Sequence, residues 1–296
     1  MSADVWTVKR ILTWTTGYLE RKGDEHPRLS AEWLLCNATD MTRVELYINF
    51  DKPLSPAELD VMREGVRRRG AGEPLQYVTG EMPFRHIVLR CEKGVLIPRP
   101  ETEVLVDAAL EALDARAAEA PLVLEIGTGT GCIALSLASE REGVRVIATD
   151  LSSDAVRLAT RNRDALGLAG VVDVVECDLA AGVPDALMGR FDLLVSNPPY
   201  IPSEVLAYDV PSEVKDFEPG LALDGGDDGL DVFRRILEMA PRALAPGGSL
   251  CVELFEDNVN DAAELVRSMP GWAHVEVRED LTHRHRVLVA VRGESG

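Results

Sequence analysis

A strand, a Gly-rich turn and a helix follow one another near the middle of the chain, and they constrain the fold more than any other feature. Leu122–Ile126 is an apolar run typical of a buried strand, and Gly131–Ser139 has helical spacing. Gly127 and Gly129 lie between them. Glycine allows a sharp turn and lets a ligand approach the free amides at the helix start. The sequence therefore predicts a ligand-binding turn on an α/β sheet.

Strands and helices alternate after this turn, which predicts a Rossmann-like, mostly parallel sheet. The predicted strands are Val144–Thr149, Val171–Glu176, Phe191–Ser196 and Ser249–Leu254. The predicted helices are Ala155–Leu166, capped by Ser152, then Leu230–Ala243 and Asp257–Ser268. Two last strands, His274–Arg278 and Arg286–Val291, have no helix between them, so we expect an antiparallel hairpin at one edge.

The first part of the chain predicts a small helical domain, residues 1–72. Val5, Val8, Ile11 and Leu12 share one helical face, and a further helix is expected from Ser55 to Arg69. Residues 73–98 predict a β-hairpin linker. Residues 99–296 predict the sheet domain, and its first element is expected to be a helix from about residue 101 to residue 118. The strand-like pieces of the linker are Gln76–Thr79, Arg85–Arg90 and Gly94–Ile97.

The charge is uneven along the 296 residues. Residues 1–98 contain 14 basic and 14 acidic side chains, so the whole net charge of −19 lies in residues 99–296. Duplex nucleic acid is bound through Lys and Arg contacts to phosphates, so we expect no duplex substrate. The five cysteines form no CxxC pair, and no run of 18 apolar residues occurs. We expect no metal, no membrane span, and a cytoplasmic monomer without a signal peptide.

The turn itself discriminates between ligands. Gly127, Gly129 and Gly131 form G-x-G-x-G, whereas a nicotinamide dinucleotide fingerprint needs G-x-G-x-x-G/A, and the sixth position here is Cys132. Asp150 ends the next strand, 23 residues after Gly127. A carboxylate at that position can accept hydrogen bonds from ribose hydroxyls. The pattern predicts a nucleoside held without a pyrophosphate.

The tetrapeptide Asn197-Pro198-Pro199-Tyr200 follows the strand Phe191–Ser196, at the sheet edge where ligands bind. The prolines fix φ and remove two backbone donors. A planar amino or amide nitrogen has two hydrogens, which the Asn197 side-chain oxygen and the Pro198 carbonyl can accept. Tyr200 can pack on the planar group. The tetrapeptide therefore predicts an acceptor site for such a nitrogen.

The turn and the acidic residue after the next strand resemble the cofactor motifs of class I S-adenosylmethionine-dependent methyltransferases. The resemblance implies S-adenosylmethionine as cofactor and S-adenosylhomocysteine as product. It places Asp150 on the ribose and Asp178 near the adenine amino group, with Leu179 where relatives often have an aromatic residue. The implied cofactor-binding residues are Glu125, Gly127, Thr128, Gly129, Gly131, Asp150, Leu151, Asp178, Leu179 and Asn197.

Glu73–Gly80 and Val95–Glu103 are similar to segments of the peptide chain release factor glutamine N5-methyltransferase family, often called HemK-like. The similarity continues at Asn197–Pro202, Leu221–Leu223 and Gly225–Leu230, and covers nearly the whole chain. It implies methylation of the glutamine in the Gly-Gly-Gln loop of class 1 release factors, gripped by the helical domain. The implied catalytic residues are Asn197, Pro198 and Tyr200, and Pro199, Arg99, Pro100 and Glu103 also contact the substrate or shape the pocket mouth.

The sequence is also compatible with other methyl acceptors. They are a ribosomal-protein glutamine, a nucleic-acid amino group or a small molecule, and a binding module without catalysis is a further alternative. Leu254–Asn258 and Asp280–Arg284 depart from the family pattern, and we expect both to lie away from the transfer site. Asp224–Gly229 superficially suggests a calcium loop, but the spacing to a closing glutamate is wrong.

Overall fold

A computed structural model describes residues 5–294. The chain divides into two compact units: residues up to Glu81 together with Pro211–Phe217, and Met82–Val210 together with the residues from Glu218 onward. None of the helices between residues 5 and 294 is long and apolar enough to cross a membrane.

The first unit is helical. Its helices are α1 (Val8–Arg21), α2 (Pro27–Thr39), α3 (Arg43–Ile48), α4 (Pro56–Arg69) and α5 (Leu75–Thr79), with the short helix Ser212–Phe217. The predicted helix after Ser55 is confirmed, and Ser55 and Glu58 form a capping box at its start. Val5 lies before α1 and is exposed, so its predicted place on the helical face was wrong. Thr7 caps α1 instead.

The second unit is an α/β domain with a seven-stranded sheet in the order β5-β4-β3-β6-β7-β9-β8. β3 to β7 are parallel, and β9 is antiparallel to both β7 and β8, as predicted. The strands are β1 (Glu81–Phe84), β2 (Ile87–Arg90), β3 (Leu122–Ile126), β4 (Arg145–Asp150), β5 (Val172–Glu176), β6 (Phe191–Ser196), β7 (Leu244–Glu253), β8 (Trp272–Glu279) and β9 (His285–Arg292). The helices of this unit are α6 (Thr102–Arg116), α7 (Cys132–Glu140), α8 (Ser153–Ala165), α9 (Ser203–Tyr208), α11 (Asp231–Ala243) and α12 (Val259–Ser268). The label α10 denotes the helix Ser212–Phe217 of the first unit.

Both faces of the sheet are covered by hydrophobic cores, and successive residues of β3 point to opposite faces. Val123 belongs to the core under α6 and α7, with Leu113 and Ile133. Leu124 belongs to the opposite core, which includes Phe233 of α11. This burial explains why the parallel strands are continuous apolar runs and were readily predicted.

Two predicted strands of the linker were wrong. Gln76–Thr79 is part of α5, where Pro74 precedes the helix and Gly80 ends it at a φ of 80°. Gly94–Ile97 is irregular, and the prolines at 98 and 100 cannot donate to a strand ladder. The hairpin itself exists, but β1 and β2 are joined at Arg85-His86, with Arg85 at a φ of 49°.

Asn162 ties this hairpin to the Gly-rich turn. Its side-chain oxygen accepts the Arg90 N–H at 2.9 Å, and its amide nitrogen donates to the carbonyls of Thr130 at 2.9 Å and Arg90 at 3.2 Å. The side chain is only 2% exposed, so water cannot replace these bonds.

We expect Asn162→Ala to lower the free energy of unfolding by about 2–3 kcal/mol, because it leaves buried backbone groups without partners. Urea unfolding measures this. Asn260→Ala is the matched control, since Asn260 is exposed, and it is expected to change little. Equal losses in the two variants would contradict the bracing role of Asn162.

Candidate active site

The sheet register brings three loops together. Ile126, the last residue of β3, pairs with Thr149 of β4 and with Ser196, the last residue of β6. Gly127 and Asn197 therefore leave the sheet side by side, and Asp150 ends β4 beside them. β4 and β6 lie on opposite sides of β3, so this is the point where the strand order reverses and where α/β sheets bind ligands.

The Gly-rich turn is held against β4 by its backbone. The amides of Gly127 and Thr128 donate to the Thr149 carbonyl at 2.8 and 3.0 Å. Gly129 has a φ of 57°, and an added Cβ there would meet nothing within 4 Å, so open space lies in front of it. At Gly131 an added Cβ would stand 2.9 Å from Leu135, which explains the need for glycine at the start of α7.

Asp150 is aligned by the loops around it. One carboxylate oxygen accepts the Gly129 N–H at 2.9 Å, and the other accepts the Ser152 N–H at 2.8 Å. Burial raises the pKa of Asp150, while these backbone N–H groups oppose the rise. Each oxygen keeps a further lone pair for a ligand hydroxyl.

A cavity of about 660 Å³ opens over these loops, within the size range of small-molecule sites. Of the predicted cofactor residues, the cavity is lined by Gly127, Gly129, Asp150, Leu151, Asp178, Leu179 and Asn197. Glu125, Thr128 and Gly131 are instead buried behind the turn. The Thr128 hydroxyl donates to Glu125 at 2.6 Å, so these two residues support the turn from beneath.

Several lining residues were not predicted as site residues, in particular Arg235 and the segments Val95–Leu96, Pro219–Ala222 and Asp224–Gly226. Arg235, on α11, donates to Asp178 at 2.6 Å. The distant segments could have been found from the family similarity, because Leu221–Leu223 and Gly225–Leu230 belong to it. No local pattern around Arg235 signals a site.

The tetrapeptide lies at the cavity edge. The Asn197 side-chain nitrogen donates to the Thr102 hydroxyl at 3.1 Å, and no hydrogen bond to the Asn197 side-chain oxygen is found among residues 5–294. None of the hydrogen bonds described for residues 5–294 uses the Pro198 carbonyl as acceptor. Asn197 and Pro199 line the cavity, while Pro198 is buried beneath them.

Leu254–Asn258 contacts the tetrapeptide, so the expectation that it lies away from the transfer site was wrong. Phe255 stacks on Tyr200 with ring centroids 6.4 Å apart, and the Asn258 amide donates to the Tyr200 carbonyl at 3.3 Å. Gly229 also packs here, since an added Cβ would come within 2.3 Å of the Tyr200 carbonyl oxygen. The parallel pairing of β6 with β7 causes this proximity, because both strands end at the same edge.

The predicted pocket-mouth residues are dispersed. Arg99 pairs with the buried carboxylate of Glu218 at 2.5 Å, next to the lining segment Pro219–Ala222. Glu103 accepts the Arg85 N–H at 3.1 Å and so faces the hairpin. Arg99, Pro100 and Glu103 are not among the cavity-lining residues. Among residues 5–294, no group of three His, Cys, Asp or Glu side chains is placed to hold a metal ion.

Two glutamates beneath the site are fully buried. Burial raises the pKa of Glu125 to about 8, and the Thr128 hydroxyl opposes the rise. Burial also raises the pKa of Glu253 to about 7, opposed by the hydroxyls of Thr102 and Tyr200. Both carboxyls are easier to protonate in the folded chain than in the unfolded chain, so their effect on stability depends on pH.

We expect the free energy of unfolding to fall as the pH rises from about 5.5 to about 9. The folded chain holds the Glu125 proton up to a pKa of about 8, whereas the unfolded chain loses it near 4.5. Urea unfolding of Glu125→Gln removes this term, so the variant is expected to lose several kcal/mol less than wild type over this range. Glu279→Gln, at an exposed position, is expected to follow wild type. Parallel pH curves for wild type and Glu125→Gln would contradict the assignment.

Two family models match the chain. The PrmC N-terminal domain matches residues 10–80, and the methyltransferase small domain matches residues 102–214. These matches correspond to the helical unit and to the part of the sheet domain that contains the Gly-rich turn and the tetrapeptide.

Relatives match over nearly the full length. The release factor glutamine methyltransferase of Geobacter sulfurreducens is 47% identical over 251 residues, which cover 85% of each chain. That of Chlorobaculum tepidum is 41% identical over 288 residues, covering 96% of this chain and 97% of the relative. The N-terminal domain of human METTL16, solved in complex with SAH, shares the fold with a TM-score of 0.50 and 17% identity, covering 68% of this chain and 74% of that one.

The sheet, the cavity at its switch point and the matching methyltransferase domain define an S-adenosylmethionine-dependent methyltransferase. The predicted fold class and cofactor are confirmed at this level. Since identities of 41–47% extend over most of both chains, the chain belongs to the release factor glutamine methyltransferase family.

Proposed function

We propose that the chain transfers a methyl group from S-adenosylmethionine to the side-chain amide nitrogen (N5) of the glutamine in the Gly-Gly-Gln loop of class 1 peptide chain release factors. The observation that carries this proposal is the Asn197 amide at the edge of the cavity: its nitrogen donates to Thr102, and its oxygen has no donor within the described part of the chain. The relatives named as release factor glutamine methyltransferases support the acceptor.

The cavity residues fit the cofactor. Asp150 keeps lone pairs for the two ribose hydroxyls, and Gly127 and Gly129 offer backbone and open space to the methionine end. One oxygen of the buried Glu125 has no hydrogen-bond partner among the described residues and would be available to accept a hydrogen bond from the methionine end of the cofactor. Asp178 and Leu179 lie where the adenine is expected, with Arg235 beside them.

The tetrapeptide supplies the acceptor geometry. The Asn197 oxygen and the Pro198 carbonyl would each accept one hydrogen of the glutamine NH2, and Pro199 and Tyr200 would contact its planar group. This arrangement aims the nitrogen lone pair at the methyl group and favours a more pyramidal, more nucleophilic nitrogen. Near-attack positioning of this kind can contribute roughly 7–11 kcal/mol to lowering the barrier.

The chemical step needs little further help. The cofactor, when bound, supplies a methyl group that the positive charge on sulfur has already activated. The N–C bond forms as the S–C bond breaks, and the amide nitrogen then releases one proton to water. A general base is therefore not required, and the task of Asn197 and Pro198 is to hold the nitrogen in line.

The rest of the molecule is consistent with a protein acceptor. We assign release factor recognition to the helical region, residues 1–72, with residues 73–98 as linker and 99–296 as the methyltransferase domain. Arg99, Pro100 and Glu103 shape the mouth of the pocket and do not line the cavity itself. The acidic sheet domain disfavours duplex nucleic acid as the substrate. We propose that the protein acts as a cytoplasmic monomer.

Incubation of the protein with labelled S-adenosylmethionine and purified release factors tests the proposal. We expect one methyl group on the glutamine of the Gly-Gly-Gln loop, located by mass spectrometry of the digested factor. A release factor with that glutamine replaced is the matched control and is expected to remain unlabelled. Label on DNA or ribosomal protein instead, or none on the loop glutamine, would exclude the proposed acceptor.

Asn197→Ala is expected to reduce kcat by about 100- to 1,000-fold, because it removes an acceptor that orients the amide hydrogens. The S-adenosylhomocysteine dissociation constant, measured by calorimetry, is expected to change far less, since Asp150 and the Gly-rich turn remain. Asn260→Ala serves as control, and circular dichroism verifies folding. A variant that keeps wild-type turnover, or that loses cofactor affinity in proportion to kcat, would contradict the assigned role.

A further inference from the structure

A second, smaller cavity adjoins the cavity over the Gly-rich turn. The large cavity has a volume of about 660 Å³ and the small cavity one of about 380 Å³. Asp178 and Leu179 belong to the walls of both cavities, whereas Met188 and Met239 line only the small one. The Asp178 side chain therefore lies at the boundary, and its carboxylate has two cavities toward which it can turn.

The order of the strands places the base of the cofactor at this boundary. β6, β3, β4 and β5 are successive neighbours in the sheet. The tetrapeptide follows β6, the Gly-rich turn follows β3, Asp150 ends β4, and Asp178 comes shortly after β5. Sulfur and adenine are attached to opposite ends of the ribose. With the methyl group at the tetrapeptide and the ribose at Asp150, the adenine therefore extends toward Asp178.

The loop that carries Asp178 is fixed by its backbone. The Cys177 N–H donates to the Asp150 carbonyl at 2.9 Å, and the Ala181 N–H donates to the Asp178 carbonyl at 3.0 Å. Leu179 has a φ of 48°, a conformation that few residues with a Cβ adopt and that persists where surrounding contacts fix it. Because the backbone is defined here, rotation of the Asp178 side chain decides which cavity its carboxylate faces.

Two arginines of α11, about two helical turns apart, lie one in each cavity wall. Arg235 lines the large cavity and donates to Asp178 at 2.6 Å. Arg242 lines the small cavity and donates to Asp185 at 3.0 Å. The side chains of both pairs are half exposed or more, so neither pair contributes much to stability. The consequence of the Arg235 pair is that the Asp178 carboxylate is held on the side of the large cavity.

The pair leaves one Asp178 oxygen available. Arg235 donates to Oδ2, and no hydrogen bond to Oδ1 is found among residues 5–294. A carboxylate oxygen accepts hydrogen bonds, and the amino group of adenine donates them. An unpaired arginine would instead present donors, which suit a purine with an oxygen in place of the amino group. The pairing of Arg235 with Asp178 therefore gives this end of the cavity an acceptor.

We propose that Arg235 is a positioning residue that holds the Asp178 carboxylate toward the large cavity, where its free oxygen accepts an amino hydrogen of adenine. Arg235 acts through Asp178, and the pair makes the site select an amino-bearing purine over one with an oxygen at the same place. The inference rests on the cofactor assigned in the proposed function and is independent of the methyl acceptor.

Calorimetry with two ligands tests this selection. The ligands are S-adenosylhomocysteine and S-inosylhomocysteine, which has an oxygen where the amino group was. We expect wild type to bind S-adenosylhomocysteine at least about tenfold more tightly, because a carboxylate accepts from the amino group and repels the oxygen. Arg235→Gln is expected to bind S-adenosylhomocysteine about tenfold more weakly and to reduce the preference to about threefold or less.

Two further arginine variants control this result. Arg235→Lys keeps the positive charge and is expected to keep most of the preference. Arg242→Gln removes the corresponding pair on the same helix and is expected to change both dissociation constants by less than about twofold. An unchanged preference in Arg235→Gln, or an equal loss in Arg242→Gln, would overturn the proposal.

A double-mutant cycle separates positioning from direct contact. If Arg235 acts through Asp178, Arg235→Gln in an Asp178→Asn background is expected to weaken S-adenosylhomocysteine binding no further. Additive losses would show that Arg235 contacts the ligand itself and would overturn the positioning role. The urea midpoint of ligand-free Arg235→Gln is expected to equal that of wild type, because the pair is half exposed. A lowered midpoint accompanied by equal losses for both ligands would also overturn it.

Turnover with the release factor distinguishes the two proposals. We expect Arg235→Gln to raise KM for S-adenosylmethionine about tenfold and to leave kcat within about twofold, since the tetrapeptide is unchanged. If wild type binds S-adenosylhomocysteine but methylates no release factor, the proposed acceptor fails and the calorimetry still tests Arg235. If wild type binds both ligands equally well, the roles of Asp178 and Arg235 fail, whatever the acceptor.

Discussion

The parallel pairing of β3 with β4 on one side and β6 on the other is the constraint on which the site depends. Ile126 lies between Thr149 and Ser196, so the three following loops leave the sheet as neighbours. The Gly-rich turn, the ribose-binding candidate Asp150 and the proposed acceptor residue Asn197 are far apart in the chain, and the backbone hydrogen bonds of the sheet bring them together. A slip of this register would reverse the burial of every side chain in the strands, so the hydrophobic cores on both faces also maintain the site.

Buried polar groups provide the accuracy that the sheet alone does not. Asn162 secures the turn to the hairpin, and Glu125 supports it through the Thr128 hydroxyl. Thr102 contacts the tetrapeptide through the Asn197 side chain, and Glu253 contacts it through the Tyr200 hydroxyl. Burial raises the pKa of both glutamates, which means that the fold retains costly carboxyls directly under the two functional loops. Perturbed carboxyls of this kind are characteristic of functional sites.

The parallel strands and their helices were predictable because periodicity and apolar runs depend on local sequence. Leu122–Ile126 and Phe191–Ser196 were predicted with the bounds that the structure has. The linker was harder to predict, because the sequence of a short segment such as Gln76–Thr79 fits a strand and a single helical turn equally well. Packing decides that case: Tyr77 and Val78 are both buried, and Gly80 ends the turn. The predicted helix face extended too far toward the N-terminus when it included Val5, since Thr7 caps the helix and Val8 is its first residue.

For the site, the sequence by itself determined which residue types follow the strands, and from them we predicted the roles: Gly127 and Gly129 for close backbone approach, Asp150 for the ribose, and Asn197-Pro198 for a planar nitrogen. Those properties belong to residue types and their place after a strand, so they can be read locally. Tertiary structure alone decided that Phe255 stacks on Tyr200, that Arg235 pairs with Asp178, and that Thr102 and Glu253 hold the tetrapeptide. These contacts join residues 50 or more positions apart through the pairing of strands and the packing of helices, and no local pattern in the chain encodes them.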